Sequence, residues 1–259
     1  MSFATSASLM AAGLFVGMLI LWEVGRRIGI ARHAHDPNGV TSGSGPIEAS
    51  IFGLLGLLLA FTFSGAASRF EARRHLIADE ANAVGTAYLR IDLLAANAQP
   101  ELRQLFARYL DTRLETFRNL QDPLVTRARL AETAKLQRQI WALGVAASQQ
   151  PGASPDAAKL LLPAMNEMFD ITTTRLAATQ DHPPAVIFAL LAGLSLLSSL
   201  LTGYVTCNTI VRSWFYIVLV SATMSVTFYV ILDLEFPRLG LIRIDAADQA
   251  LSDLRGSMK

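Results

Sequence analysis

Apolar residues fall into four blocks near the two ends of the chain, and most charged residues lie between them. The first block, Phe3 to Trp22, carries no charge; its roughly 20 residues, at about 1.5 Å each, are long enough to cross a hydrocarbon core of about 30 Å. The second runs from Ile51 to Ala67, the third from Pro184 to Val205 and the fourth from Trp214 to Leu232. The pattern predicts four transmembrane helices.

The stretch from Glu23 to Pro46 separates the first two blocks. It contains several basic residues and a segment rich in Gly and Ser around Gly39 to Gly45, a composition typical of loops. We therefore expect the first helix to end before this stretch. Pro46 suits the first turn of the second helix, because its missing N–H would be unpaired there anyway.

The second apolar block runs into amphipathic sequence without a helix-stop signal until a breaker at Ala95 to Pro100. One continuous helix is therefore expected to leave the membrane and project into water. At about 100° per residue, its polar side chains form one broad stripe. The stripe contains Ser64, Ser68, Glu71, His75, Asp79, Asn82, Thr86 and Arg90.

Three further helical patterns follow, at Glu101 to Leu120, Val125 to Ala147 and Asp156 to Gln180. The predicted fold is an all-α membrane protein with four transmembrane helices and a large helical cytoplasmic insert, of roughly 115 residues, between the second and third. The predicted segments are residues 1–67 (helices 1 and 2), 68–183 (insert), 184–235 (helices 3 and 4) and 236–259 (cytoplasmic tail).

Four membrane crossings place both termini and the insert on one side of the membrane and the two short links on the other. The positive-inside rule compares the basic residues close to the spans. Arg26, Arg27, Arg32 and Arg212 lie on the link side, against Arg69, Arg73, Arg74, Arg175, Arg238 and Arg243 on the insert side. This balance favours a cytoplasmic insert.

Composition agrees with a membrane protein and excludes several other classes. Of the 259 residues, 52% are hydrophobic and 17% charged, whereas soluble domains carry about a quarter charged residues. A net charge of +1, with no basic run interleaved with aromatics, gives no reason to expect nucleic-acid binding.

Cys207 is the single cysteine, which excludes an internal disulfide. No spacing typical of a catalytic nucleophile, phosphate loop or metal cluster occurs, so we expect neither an enzyme nor a cofactor.

Three segments carry a family resemblance: Leu54 to Arg74, Glu80 to Arg90 and Asp233 to Ile244. They resemble a bacterial bestrophin-like membrane family, long catalogued as a domain of unknown function and remotely similar to bestrophin anion channels. The resemblance implies a homo-oligomer, a pentamer, in the bacterial inner membrane, conducting small inorganic anions along an axial pore lined by the second helix. The acidic calcium-clasp cluster of animal bestrophins is not found in this sequence, so calcium gating is not implied.

On this interpretation Leu57 and Phe61, one helical turn apart, would form a hydrophobic gate. Their alternative role is contact with lipid or a neighbouring helix. Arg69, Arg73 and Arg74 would attract anions to the pore mouth, or would instead reach lipid head groups.

Two further groups of polar residues are candidate site residues. Glu80, Asn82, Thr86 and Arg90 are expected to form a structural polar network within the chain or with a neighbouring subunit. Asp233 and Glu235, close to the membrane boundary, are either an ion or proton site or, as we favour, a helix-end pair in salt bridges with Arg238 or Arg243.

The predicted function is thus an oligomeric, anion-conducting bestrophin-like channel. The alternative is a non-conducting scaffold or sensor whose helical insert binds a protein partner. A channel requires a closed ring with the second helix at its axis, whereas a scaffold needs no pore.

Overall fold

A computed structural model of the protein describes residues 3–34, 44–118, 122–208 and 214–258. Arg212, used above in the comparison of basic residues, lies outside these ranges. The described residues form α1 (Phe3–His33), α2 (Ser44–Leu89), α3 (Gln99–Arg118), α4 (Pro123–Ser148), α5 (Ala157–Gln180), α6 (Ala185–Val205), α7 (Trp214–Glu235) and α8 (Gln249–Ser257). Short 3-10 turns follow α2 at Arg90–Leu93 and α6 at Thr206–Asn208.

The all-helical class is confirmed, and the four predicted spans correspond to four candidate membrane-spanning helices. Within the described residues, four helical stretches are long and apolar enough to cross a membrane: Phe3–His33, Glu48–Leu93, Ala157–Val205 and Trp214–Glu235. The apolar part of the second stretch is the first half of α2, and that of the third is α6. Their apolar side chains make these helices suited to a bilayer rather than to water.

The expectation that the first helix ends before Glu23 is wrong, because α1 continues to His33. Glu23 accepts hydrogen bonds from Arg26 and Arg27, one turn further along, at 2.9 Å each. Pairs at this spacing stabilise a helix. The basic residues therefore belong to the last turns of α1, and the loop composition begins only after them.

The chain folds into two compact units. Residues Met1–Phe70 and His182–Ile242 form the first, here called the membrane unit, which contains α1, the first half of α2, α6 and α7. Residues Glu71–Asp181 and Arg243–Lys259 form the second, here called the helical unit, which contains the rest of α2, α3, α4, α5 and α8. The single helix α2 therefore contributes to both.

In the membrane unit, α1 and α6 approach each other at two glycines. A Cβ atom on Gly25 would lie 2.0 Å from the carbonyl oxygen of Leu200, and one on Gly203 would lie 2.0 Å from that of Trp22. No side chain fits at such distances. Small residues let membrane helices pack backbone to backbone, where dispersion forces replace the hydrophobic effect.

The helical unit is built on the apolar faces of its helices. In α3, Leu102, Phe106, Tyr109 and Leu110 recur at helical spacing and are fully buried. The start of α4 is defined by Asp122, whose carboxylate accepts hydrogen bonds from the first backbone amides of that helix.

Candidate functional site

Leu57 and Phe61 lie one turn apart on a face of α2 that no described residue covers. Leu57 is 53% exposed and Phe61 is 69% exposed. The opposite side of the same helix contains Leu55, Thr62 and Ala66, all buried within the membrane unit. Within the chain, α2 therefore has one face that packs and one that does not.

Small residues lie beside this pair. Gly53, Gly56, Ala60 and Ser64 are exposed, and a Cβ added to either glycine would meet no described atom within 4 Å. They recur at spacings of three and four residues, so they share one side of the helix. In membranes such small-residue faces allow a second helix to approach closely.

The three arginines predicted at the pore mouth have different environments. Arg69 donates two hydrogen bonds to the Glu235 carboxylate, of which the shorter, from Nη2 to Oε1, is 2.5 Å. Arg73 is buried and donates to the backbone carbonyls of Ala178 and Asp181 at 2.9 and 2.7 Å. The third, Arg74, has 54% of its side chain exposed.

These contacts make Arg69 and Arg73 structural groups within the chain. A guanidinium that is ion-paired to a buried carboxylate, or that donates to buried carbonyls, is held in place by contacts within the chain. Arg74 is paired with Glu71 at 2.8 Å, but both side chains are partly exposed, so solvent screens the pair. Of the three, Arg74 is the arginine with the most exposed side chain.

The end of α7 is fixed by its two acidic residues. Asp233 is completely buried and accepts hydrogen bonds from the backbone amides of Leu241 and Ile242 at 3.0 and 2.7 Å. A Cβ atom on Gly240 would lie 1.5 Å from the Asp233 carboxylate, so the turn requires glycine there. Glu235 pairs with Arg69, as described above. Both carboxylates thus have the structural contacts of a helix end.

The strongest polar cluster in the helical unit is centred on Glu80. This carboxylate is completely buried between two guanidinium groups, with 2.5 Å from Oε1 to Nε of Arg113 and 2.5 Å from Oε2 to Nη1 of Arg175. Asp248 binds the other end of Arg175 at 2.9 Å. The ring of Phe117 lies 3.6 Å from the Cζ atom of Arg175, a cation–π contact.

Electrostatics within this cluster favour the charged forms of Glu80 and Arg113, whereas burial lowers the pKa of Arg175 despite the opposing charge of Glu80. Burial alone raises the pKa of Glu80, but the charges and hydrogen bonds of Arg113 and Arg175 outweigh burial and hold that pKa below its ordinary value of 4.5. Burial likewise lowers the pKa of Arg113, and Glu80 more than offsets this, so its pKa is raised. The cluster is therefore a set of mutually dependent ions that links α2, α3, α5 and the segment before α8.

The structure does not bring together the four residues of the predicted polar network. Asn82 and Thr86 are exposed, and they lie on the side of α2 away from the buried Glu80. Arg90 donates to the backbone carbonyl of Leu160 at 2.6 Å. A contact of Asn82 and Thr86 with a neighbouring subunit remains a prediction.

The partners of Glu80 were missed by sequence reasoning, although a signal for them exists. Arg113 falls on the apolar stripe of α3, four residues after Tyr109, and Arg175 falls on that of α5, three residues after Thr172. A charged residue on an otherwise buried helix face needs an opposite charge.

The described residues contain no group of three or more His, Cys, Asp or Glu side chains able to hold a metal ion. Cys207 is a free, partly buried thiol.

Comparisons with solved structures show the same fold in bacterial proteins. A bestrophin homologue from Klebsiella pneumoniae carrying a single substitution matches with a TM-score of 0.67 and 17% identity, covering 94% of this chain and 99% of that one. A second variant of a Klebsiella pneumoniae bestrophin homologue matches with a TM-score of 0.65 and 15% identity, covering 95% and 98%. A structure described only as a membrane protein matches with a TM-score of 0.68 and 17% identity, covering 94% and 99%.

No curated protein matches the chain significantly. The sequence does match the bestrophin-like domain over residues 12–248, which is nearly its whole length. Bestrophins are channels rather than enzymes. The match includes α2, with its uncovered face, and the Glu80 cluster. The chain therefore belongs to the bestrophin-like family, and it is a multi-pass membrane protein.

Proposed function

We propose that this protein is an oligomeric ion channel of the bacterial inner membrane, with an anion-conducting axial pore lined by α2. The observation that carries the proposal is the uncovered face of α2 in a chain of the bestrophin-like family. A closed ring of subunits, a pentamer by the family resemblance, would bring this face to a common axis. The helical unit would then form a cytoplasmic vestibule, reached where α2 leaves the membrane.

The proposed gate is the pair Leu57 and Phe61. Both are exposed and one turn apart, so a ring of subunits would present two successive apolar rings to the axis. Apolar constrictions close a pore by dewetting rather than by steric contact. The small residues beside them, Gly53 and Gly56 among them, would let neighbouring α2 helices pack closely enough to form the constriction.

Replacing Phe61 by alanine tests the gate. A wider and less hydrophobic constriction should raise the unitary conductance or the open probability in planar bilayers. Phe215 on α7 is a matched control, because it is 76% exposed and equally aromatic. Phe215→Ala should leave the currents unchanged, and equal effects of the two substitutions would remove Phe61 from the pore.

The preference for anions is proposed to depend on Arg74, the largely exposed member of the basic cluster. Repeated around a ring, this charge would raise the local anion concentration at the mouth. Arg74→Glu should shift the reversal potential in a salt gradient towards the cation potential. Arg127→Glu, an exposed residue on α4, makes the same change in net charge elsewhere. An unaltered reversal potential in Arg74→Glu would show that this charge does not face the ion path.

A further inference from the structure

The membrane unit contains a cavity of about 400 Å³ among α1, α2, α6 and α7. This volume is within the roughly 300–1,000 Å³ typical of sites for small molecules. Most of its wall is apolar, and the helices that form it come from both ends of the sequence. The apolar lining includes Met18, Trp22, Phe52, Leu55, Val220 and Met224.

The dimensions of this cavity limit what it can hold. Along α7 it extends from Tyr216 to Met224, which at 1.5 Å per residue is about 12 Å. The cavity is therefore long enough to hold a slender small molecule.

One wall carries a buried hydroxyl group that has no hydrogen-bond partner. Ser198 is 2% exposed, and its Oγ is unpartnered among the described residues. Its neighbours on α6 behave differently: Ser195 donates to the carbonyl of Leu191 at 2.8 Å, and Thr202 donates to the carbonyl of Ser198 at 2.9 Å. Leaving a buried hydroxyl unpaired costs free energy, so each such group calls for a ligand or another explanation.

The charges around the cavity argue against an anionic ligand. The described residues that line it include one carboxylate, Glu48, and no Lys or Arg. An anionic head group would find no cation there and would be repelled by Glu48. Beside Ser198, α6 also presents Ser199 and Thr202 to the cavity, but their hydroxyls already donate to backbone carbonyls and neither residue carries a charge, so a charged group there would find no opposite charge.

We propose that the cavity binds a neutral amphiphile delivered by the bilayer, with an apolar body and one hydroxyl or carbonyl group that hydrogen-bonds to Ser198. The apolar body lies against Trp22, Phe52 and Val220, and the polar group reaches the buried serine. A plain hydrocarbon chain would leave the hydroxyl unsatisfied. Water alone would satisfy the hydroxyl but would leave most of the wall, which is apolar, in contact with water. The site does not depend on ion conduction.

The test uses photolabelling of the full-length protein, reconstituted in lipid nanodiscs, with a diazirine-bearing octanol. Labelled peptides are mapped by mass spectrometry, and octanol and octane are compared as competitors. We expect saturable labelling on the parts of α6 and α7 that line the cavity, with octanol competing more strongly than octane. Filling the cavity by Val220→Phe should abolish the saturable label.

Two serine variants isolate the hydrogen bond. Ser198→Ala should weaken competition by octanol about three- to tenfold and leave competition by octane unchanged, as expected for one hydrogen bond. Ser225 is the matched control, because it is also buried with an unpartnered hydroxyl but does not line the cavity. Ser225→Ala should leave both competitors unaffected.

Three results would overturn the proposal. The first is labelling that does not saturate and spreads over exposed membrane positions such as Phe215. The second is octane competing as well as octanol against the wild-type protein, which would indicate a hydrocarbon site. The third is an effect of Ser225→Ala as large as that of Ser198→Ala.

Discussion

Replacing Glu80 by glutamine removes the carboxylate that joins two buried guanidinium groups. Glu80 and Arg113 are completely buried, and Arg175 is 3% exposed. Breaking a buried ion pair from one side costs about 3–5 kcal/mol, because the remaining charge has no water and no partner. Glutamine keeps one carbonyl oxygen as an acceptor, and Asp248 still binds Arg175, so we expect the lower end of that range.

Hydrogen exchange of the backbone amides of α3 measures this cost directly. A loss of about 3 kcal/mol raises the opening equilibrium by roughly 100-fold, since each 1.4 kcal/mol is a factor of ten. Protection of the amides around Arg113 should therefore fall by about 100-fold in Glu80→Gln. The purified protein in detergent suffices, because the measurement needs no current.

A second ion pair in the same unit provides the control. Arg129 and Glu115 are 2.9 Å apart, and their side chains are 43% and 45% exposed. An exposed pair contributes less than about 1 kcal/mol, so Glu115→Gln should change protection less than about fivefold. If Glu80→Gln lowers protection no more than Glu115→Gln does, the buried cluster does not stabilise the helical unit as argued here.

Acid provides a further check on the same cluster. The pKa of Glu80 in the folded protein lies below its ordinary value of 4.5, so its carboxylate stabilises the fold fully above that pH. That stabilisation is lost as the pH falls below 4.5 towards the folded-state pKa. The protection of the α3 amides from hydrogen exchange should thus decrease with acid in the wild type. The part of this decrease that comes from protonation of Glu80 should be absent in Glu80→Gln.

Two further predictions concern the membrane unit. Gly203→Val should disrupt the close approach of α1 and α6 and lower thermal stability in detergent by several degrees or more, whereas Gly193→Val, where a Cβ atom meets nothing described within 4 Å, should be tolerated. Asp233→Asn should cost about 1.5–3 kcal/mol by weakening charge-assisted bonds to backbone amides. Amide exchange at Ile242 should accelerate correspondingly, and Asp245→Asn at an exposed ion pair should have no such effect.

Hydrophobic patterning was sufficient to predict the four apolar helices and the three long helices between them, but it did not predict α8, which lies in the segment predicted only as a tail. Uncharged blocks of membrane-spanning length identified α1, α6 and α7, and helical periodicity identified α3, α4 and α5 to within a few residues. The error in α1 came from composition: Arg26 and Arg27 suggested a loop, although their spacing from Glu23 is that of helical ion pairs. In this segment the spacing of the charged residues indicated a helix, whereas the composition wrongly indicated a loop.

The sequence pattern could not predict ion pairs between residues that are far apart in the chain. Neither the contact of Arg69 with Glu235 nor that of Glu80 with Arg175 follows from local periodicity, because the partners are 166 and 95 residues apart. Arg69 was therefore placed at a pore mouth on the basis of its position at the end of an apolar block. Its actual partner depends on how α2 packs against α7.

The sequence pattern also could not predict which apolar residues are exposed. A sequence of apolar residues does not tell which of them pack within the chain, and Leu55 and Leu57 differ in this respect although they are two residues apart. The structure distinguishes them, since one is buried and the other uncovered. The uncovered residues are the ones on which the proposed pore depends.

The proposed channel is best tested by reconstituting the purified protein in planar bilayers under a salt gradient, with the mass of the oligomer measured on the same preparation. We expect a closed ring of identical subunits and discrete currents that reverse near the anion equilibrium potential. A monomer or dimer without currents would contradict it and would favour a membrane scaffold. Currents that reverse near the cation potential would contradict the proposed anion selectivity.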